Sequence, residues 1–166
     1  MRREEAEQLA AVQAASYAVA GSAVTSSWPQ TSALDAETLA AFLDEQPYCV
    51  LATTRPDGRP QARPVAFTVV EGALWIASVS GARLRNVTTQ PYVSLVVSSG
   101  ARGTHRMVLA EGPTSIHERE IVAVRLDPLW IERHGSAPDW AAAFIELRPE
   151  RIFSYDAAAP LLTRRA

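Results

Sequence analysis

Between Tyr48 and Ser78 the chain alternates extended runs with tight turns and leaves no room for a helix. Tyr48–Thr54 is a β-branched run. Arg55-Pro-Asp-Gly-Arg59 carries turn chemistry. Residues 60–70 are extended again, Glu71-Gly72 supplies a hairpin turn, and Ala73–Ser78 is the partner strand. Parallel neighbours need a crossover of a dozen or more residues, usually a helix. Strands that follow one another this closely must therefore pair antiparallel. Pro60 is tolerable at the first residue of a strand, whereas Pro64 predicts an edge or a bulge, because it has no amide for the ladder.

The same reading extends along the chain. Further strands are expected at 92–98, at 105–115 with a break at Gly112-Pro113, and at 144–148 and 151–155 as a closing hairpin-like pair. Helices are expected at 3–20, at 36–46 capped by Asp35, and at 83–89 stopped before Pro91. Another is expected at 117–133, interrupted near Pro128, with helical character from Asp139 to Ala143. The second buries Leu39, Phe42 and Leu43; the fourth turns Ile121, Val124, Leu126 and Trp130 to the core. The stripe Leu9, Val12, Ser16 and Val19 is thin, so helix 3–20 is expected to pack on a partner subunit or to fray. Residues 21–33 read as a Gly/Ser/Pro loop. Trp28 and Trp140 are read as core residues first and as pocket walls second. The sum is mainly β, six or seven short antiparallel strands with peripheral helices, which points to a small β-barrel.

The 166 residues suit one domain with a core of its own. A net charge of −2 leaves no electrostatic footprint for nucleic acid or an anionic membrane surface. No apolar run approaches the ~20 residues of a membrane span, and no signal-peptide pattern follows Met1, so a cytoplasmic location is expected. Cys49 is the one cysteine, which suits a reducing compartment. All 16 basic residues are arginine. Any anion site must then be built from guanidinium groups or backbone amides, and a lysine Schiff base is excluded.

Little in the chain suits protein-borne chemistry. Glycine-rich nucleotide loops, a nucleophile elbow and a His-Glu-x-x-His pair are all missing. His105, His117 and His134 lack metal-ligand spacing. Cys49 lies in an apolar strand and reads as a buried, inert thiol. No catalytic residue is assigned, and the poverty of candidates favours a borrowed cofactor. The arginines are the better lead. Arg83 and Arg85 open the helix at 83–89, behind Ser78-Val-Ser-Gly81, where free amides and the helix dipole favour phosphate. Arg63 lies on the neighbouring strand. The unit could present all three to one anionic ligand, while each also suits a solvated surface.

Arg63-Pro-Val, Ala77-Ser78, Arg83-x-x-Asn86, Gln90-Pro91-x-Val-Ser-Leu95 and Glu111-Gly112, in this order and spacing, resemble the FMN-binding split β-barrel family of pyridoxamine 5′-phosphate oxidase and its flavin and deazaflavin relatives. The resemblance covers roughly residues 35–156. It implies a Greek-key split barrel at 35–156 between an N-terminal extension, 1–34, and a tail, 157–166. It also implies a homodimer with a cofactor at the subunit interface and a small-molecule substrate. The resemblance places Arg63, Pro64, Val65, Ala77, Ser78 and Arg83 at FMN, with Tyr155 and the Met107 position, and Arg85 joins the candidate cofactor site from the helix start. Tyr155 stands where the oxidase has a tryptophan from the second subunit. Met107 replaces a flavin-contacting glutamine, Thr68 replaces a substrate-binding lysine, and Asp156-Ala-Ala-Ala-Pro replaces the oxidase's closing Arg-Leu-His. These departures argue against pyridoxamine phosphate as substrate. The alternatives are the deazaflavin F420 in place of FMN, or a non-catalytic barrel that binds flavin or haem.

Overall fold

The structure, a computed structural model, describes residues 1–158, so the expected tail lies almost wholly outside the described residues. The strands are β1 (Tyr48–Thr54), β2 (Pro60–Ala66), β3 (Thr68–Val70), β4 (Ala73–Ser78), β5 (Tyr92–Ser99), β6 (Arg106–Glu118), β7 (Ala143–Leu147) and β8 (Arg151–Asp156). They form one antiparallel sheet in the order β2-β1-β5-β6-β7-β4-β3, with β8 on β6. Its end strands, β2 and β3, are joined in sequence by Phe67 alone, so the sheet curls back on itself as a split barrel.

That junction accounts for the eighth strand. The expected run at 60–70 is cut at Phe67, whose amide donates to Pro47 O at 3.3 Å and whose carbonyl accepts from His134 Nε2 at 3.0 Å. Both backbone groups are used outside the ladder, so the strand ends and a new one begins. β2 lies at the edge, as Pro64 requires.

β6 is continuous through Gly112-Pro113, contrary to the expected break. Its first part pairs with β5 and β8, and its second part, from Thr114, pairs with β7. β7 and β8 therefore share β6 and do not form the expected hairpin with each other. Gly112 sits where the strand passes from one set of partners to the other. A Cβ there would lie 2.1 Å from Arg148 O. Only glycine permits that approach.

Inside the curl Leu51, Val65, Phe67, Leu74, Ile76, Leu95, Ile145 and Leu147 form the main core. Helix α3 (Ala36–Glu45) closes one end with Leu39, Phe42 and Leu43, and Asp35 Oδ1 accepts the Thr38 amide at 2.8 Å as its cap. Helix α5 (Arg119–His134) covers the outer face of β4 and β7, burying Val122, Leu126 and Trp130 on Trp75, Ala77 and Phe144. Here the sequence reading needs two corrections. Ile121 and Val124, expected in the core, are 73% and 91% exposed. Residues 139–143 are not helical: a turn leads into β7 at Ala143. The helix carries apolar stripes on opposite faces, and only the position of the sheet decides which is buried. It also runs unbroken through Pro128.

Helix α1 (Arg3–Ala18) packs on its own chain instead of fraying. Leu9 joins the main core, and Val19, the last residue of the expected stripe, is exposed. What holds α1 is polar. β8 pairs only with β6, so its other edge needs partners. Ser16 Oγ accepts the Ile152 amide at 2.9 Å, and Tyr17 Oη donates to Ser154 O at 3.0 Å. Ser154 Oγ donates to Gln13 Oε1 at 2.5 Å and accepts the Leu34 amide at 2.8 Å, and Gln13 Nε2 donates to Leu34 O at 2.7 Å. Residues 21–33 are partly ordered into a short helix α2 (Ser22–Ser27) and a 3₁₀ turn, Gln30–Ser32.

Candidate functional site

The helix α4 (Ala82–Thr89) starts four residues after β4 ends. Its inner side is pinned by Asn86, whose Nδ2 donates to Thr53 Oγ1 at 2.9 Å and to Gln61 Oε1 at 3.2 Å. The Asn86 of the resemblance motif is thus a buried structural tie to β1 and β2. With that face fixed, Arg83 is turned into a cleft of about 450 Å³. Pro64, Val65 and Ala66 of β2 and Ala77 of β4 form its walls, with Val79 just beyond β4. Tyr48 and Trp140 stand at it from β1 and from the α5–β7 connection.

Arg83 is half-buried, and burial depresses its guanidinium from the ordinary arginine range. Its Nη1 donates to the buried Ser78 Oγ at 3.3 Å. Among the described residues no carboxylate pairs with it. A half-buried cation answered only by a neutral hydroxyl has the chemistry to take an anion as its partner. Cys49 lies near enough to feel Arg83, yet burial, the largest influence, pushes its thiol up to about 12. That thiol is protonated and closed off at neutral pH. Among the described residues no group of three His, Cys, Asp or Glu side chains could hold a metal.

Of the residues singled out from sequence, Pro64, Val65, Ala77 and Arg83 line this cleft, and Ser78 lies beneath Arg83. Arg63 is exposed on β2, with Nη1 donating to Ala62 O at 3.3 Å, and is not in the wall. Arg85 faces away, into a cavity of about 410 Å³ shared with Arg55, Gln61 and Asn86. The three arginines therefore do not converge on one cleft. Met107 and Tyr155 are cross-strand partners on β6 and β8, outside the cleft, and the Tyr155 ring stacks on His105 at 5.4 Å. His105 itself precedes β6 and is not within the strand. Tyr48, Ala66 and Val79 were missed, and Trp140, read as a core residue first and a pocket wall second, stands at the wall. No local pattern marks them, because the cleft is assembled from four separated segments.

The family profile of pyridoxamine 5′-phosphate oxidase matches residues 36–156. The chain belongs to the pyridoxamine 5′-phosphate oxidase family. No curated protein matches it. Solved structures of this family's fold do. A conserved hypothetical protein of Mycobacterium tuberculosis, Rv2991, superimposes with a TM-score of 0.70 at 21% identity, over 84% of this chain and 95% of that one. An FAD-binding protein of Mesorhizobium loti gives 0.60 at 19% identity, over 73% and 94%. The haem storage protein HutZ of Vibrio cholerae gives 0.57 at 18%, over 72% and 95%. At these identities the likeness is one of fold. Among the described residues no helix is long and apolar enough to cross a membrane.

Proposed function

We propose that this member of the family is a homodimeric oxidoreductase that binds FMN in the Arg83 cleft and acts on a small molecule. The observation that carries the reading is Arg83, half-buried, without a carboxylate partner, at the end of an apolar cleft. A phosphate at that guanidinium satisfies the charge, and the walls formed by Val65, Ala66 and Ala77 suit a flat apolar ring. Arg63, exposed on β2 next to Pro64 of the wall, is the second cation that the family resemblance assigns to the phosphate. The description of the Mesorhizobium loti relative as FAD-binding supports a flavin.

The chain's own contribution is binding, orientation and exclusion of water. Among the described residues Arg83 and Tyr48 are the only titratable side chains in the cleft wall, so the wall offers no general acid or base of ordinary carboxylate or imidazole type. When bound, the flavin ring supplies hydride transfer. The second subunit belongs on the outer face of β1, β2 and β5. Tyr48, Val50 and Tyr92 are exposed there, and the face runs from the cleft at Pro64 across Val96 towards Met107 and Tyr155. A cytoplasmic setting fits the single, buried, unpaired cysteine.

The test is a titration of the purified protein with FMN and, separately, with F420, followed by absorbance and fluorescence. Saturable FMN binding that is lost in the Arg63→Ala/Arg83→Ala double variant is the expected result. F420 binding alone moves the reading to deazaflavin chemistry. A Soret band replaces it with haem. Unchanged FMN affinity in the double variant overturns the phosphate clamp.

A further inference from the structure

Trp140 is out of place for a core residue. Trp75 and Trp130 are buried, but Trp140 is 58% exposed and lies on the wall of the Arg83 cleft. An indole left this open is a large apolar surface whose burial awaits a partner. Its backbone is not loose. The Ala141 amide donates to Pro138 O at 2.8 Å, and the Ala142 amide donates to Ser78 O at 2.9 Å. On the other side, Asp139 Oδ1 accepts from Arg119 Nη2 at 2.7 Å. Ser78 therefore anchors both features of the cleft, Arg83 through its hydroxyl and the Trp140 turn through its carbonyl. A braced turn that holds an indole in water beside an unpaired guanidinium is preorganised for a ligand with a flat ring at one place and a negative charge at another.

We propose that Trp140 is the ring-stacking residue of this cleft. It packs its indole on the heteroaromatic part of the ligand whose anionic end Arg83 holds. The proposal rests on the flavin reading and adds to it a specific contact from the α5–β7 turn. Stacking on an aromatic face tolerates any flat heteroaromatic ring, so the same residue serves FMN or a deazaflavin.

The experiment is an FMN titration of the whole chain as wild type, Trp140→Phe and Trp140→Ala, read by flavin and indole fluorescence, with light scattering for the oligomeric state. Trp140→Ala is expected to weaken FMN binding about tenfold, equivalent to about 1.4 kcal/mol. Trp140→Phe restores most of the affinity, and the share of FMN-quenched indole emission that belongs to Trp140 is missing from both variants, which keep Trp28, Trp75 and Trp130. Unchanged affinity in Trp140→Ala, while wild type binds FMN, overturns the stacking role and leaves the flavin reading intact. A Trp140→Ala protein that falls to monomers shows the indole to be a subunit contact and also overturns it. Failure of wild type to bind either FMN or F420 removes the flavin reading and this proposal together.

Discussion

Ser78 Oγ accepts Arg83 Nη1 at 3.3 Å while donating to Val79 O at 3.1 Å, so one buried hydroxyl links the end of β4 to the cation of the cleft. The hydroxyl is fully buried and cannot be replaced there by water without movement. Ser78→Ala removes the group that fixes the guanidinium and leaves the charge in place. FMN affinity is expected to fall roughly three- to tenfold, the scale of one net hydrogen bond. A titration beside a thermal melt checks it. An unaltered Kd shows that Ser78 positions nothing for the ligand.

Gly112 marks the point where β6 changes partners. An added methyl meets Arg148 O at 2.1 Å and Glu150 N at 3.0 Å, both backbone atoms that cannot swing aside. Gly112→Ala should cost about 3 kcal/mol, at the upper end of overpacking. For a chain of this length that is a fall in Tm of roughly 6–12 °C. A melt within a degree of wild type would mean that β6 yields easily there.

The contacts of α1 with β8 make the N-terminal helix part of the fold. Gln13→Ala leaves Leu34 O without its donor and Ser154 Oγ without its acceptor, both buried. The expected loss is about 2 kcal/mol. Chemical denaturation should show one transition that shifts as a whole. A variant that unfolds like wild type implies that α1 is only loosely held.

His134 gives the protein a pH dependence. Burial lowers its pKa below the ordinary 6.5, with Arg133 acting the same way, and the bond of Nε2 to Phe67 O only partly offsets them. The folded state resists protonation more than the unfolded chain does. The stabilisation is therefore fully present above about pH 6.5 and is lost as pH falls through the lowered folded value. Denaturant midpoints measured from pH 7.5 to 5 should fall in wild type and flatten in His134→Gln. Parallel curves for the two proteins exclude His134 as the cause.

Much of the fold was legible because its signals are local. The turns Pro56-Asp57-Gly58 and Glu71-Gly72 mark where strands end, and Asp35 marks the start of α3. Pro64 revealed an edge because a missing amide has the same consequence in any fold. Less of the site was legible. Arg83 was found, since a cation at a helix start behind Ser78 to Gly81 is a contiguous pattern. Arg85, two residues on, was grouped with it and faces another cavity, because a helix turns by about 100° per residue.

The sequence by itself determined the antiparallel class, most strand positions, the place of Arg83 at a helix start and the family, because turn chemistry, alternation and motif spacing are written along the chain. Tertiary structure alone decided the rest. It chose Val122, Leu126 and Trp130 over Ile121 and Val124, since both stripes of α5 are apolar and burial depends on where the sheet lies. It tied α1 to β8 through Ser16 and Tyr17, because the unpaired strand edge that needs them is more than 130 residues away. It also left Trp140 in water beside Arg83, a juxtaposition made by β4 and β7 lying side by side and by nothing in the residues around either one.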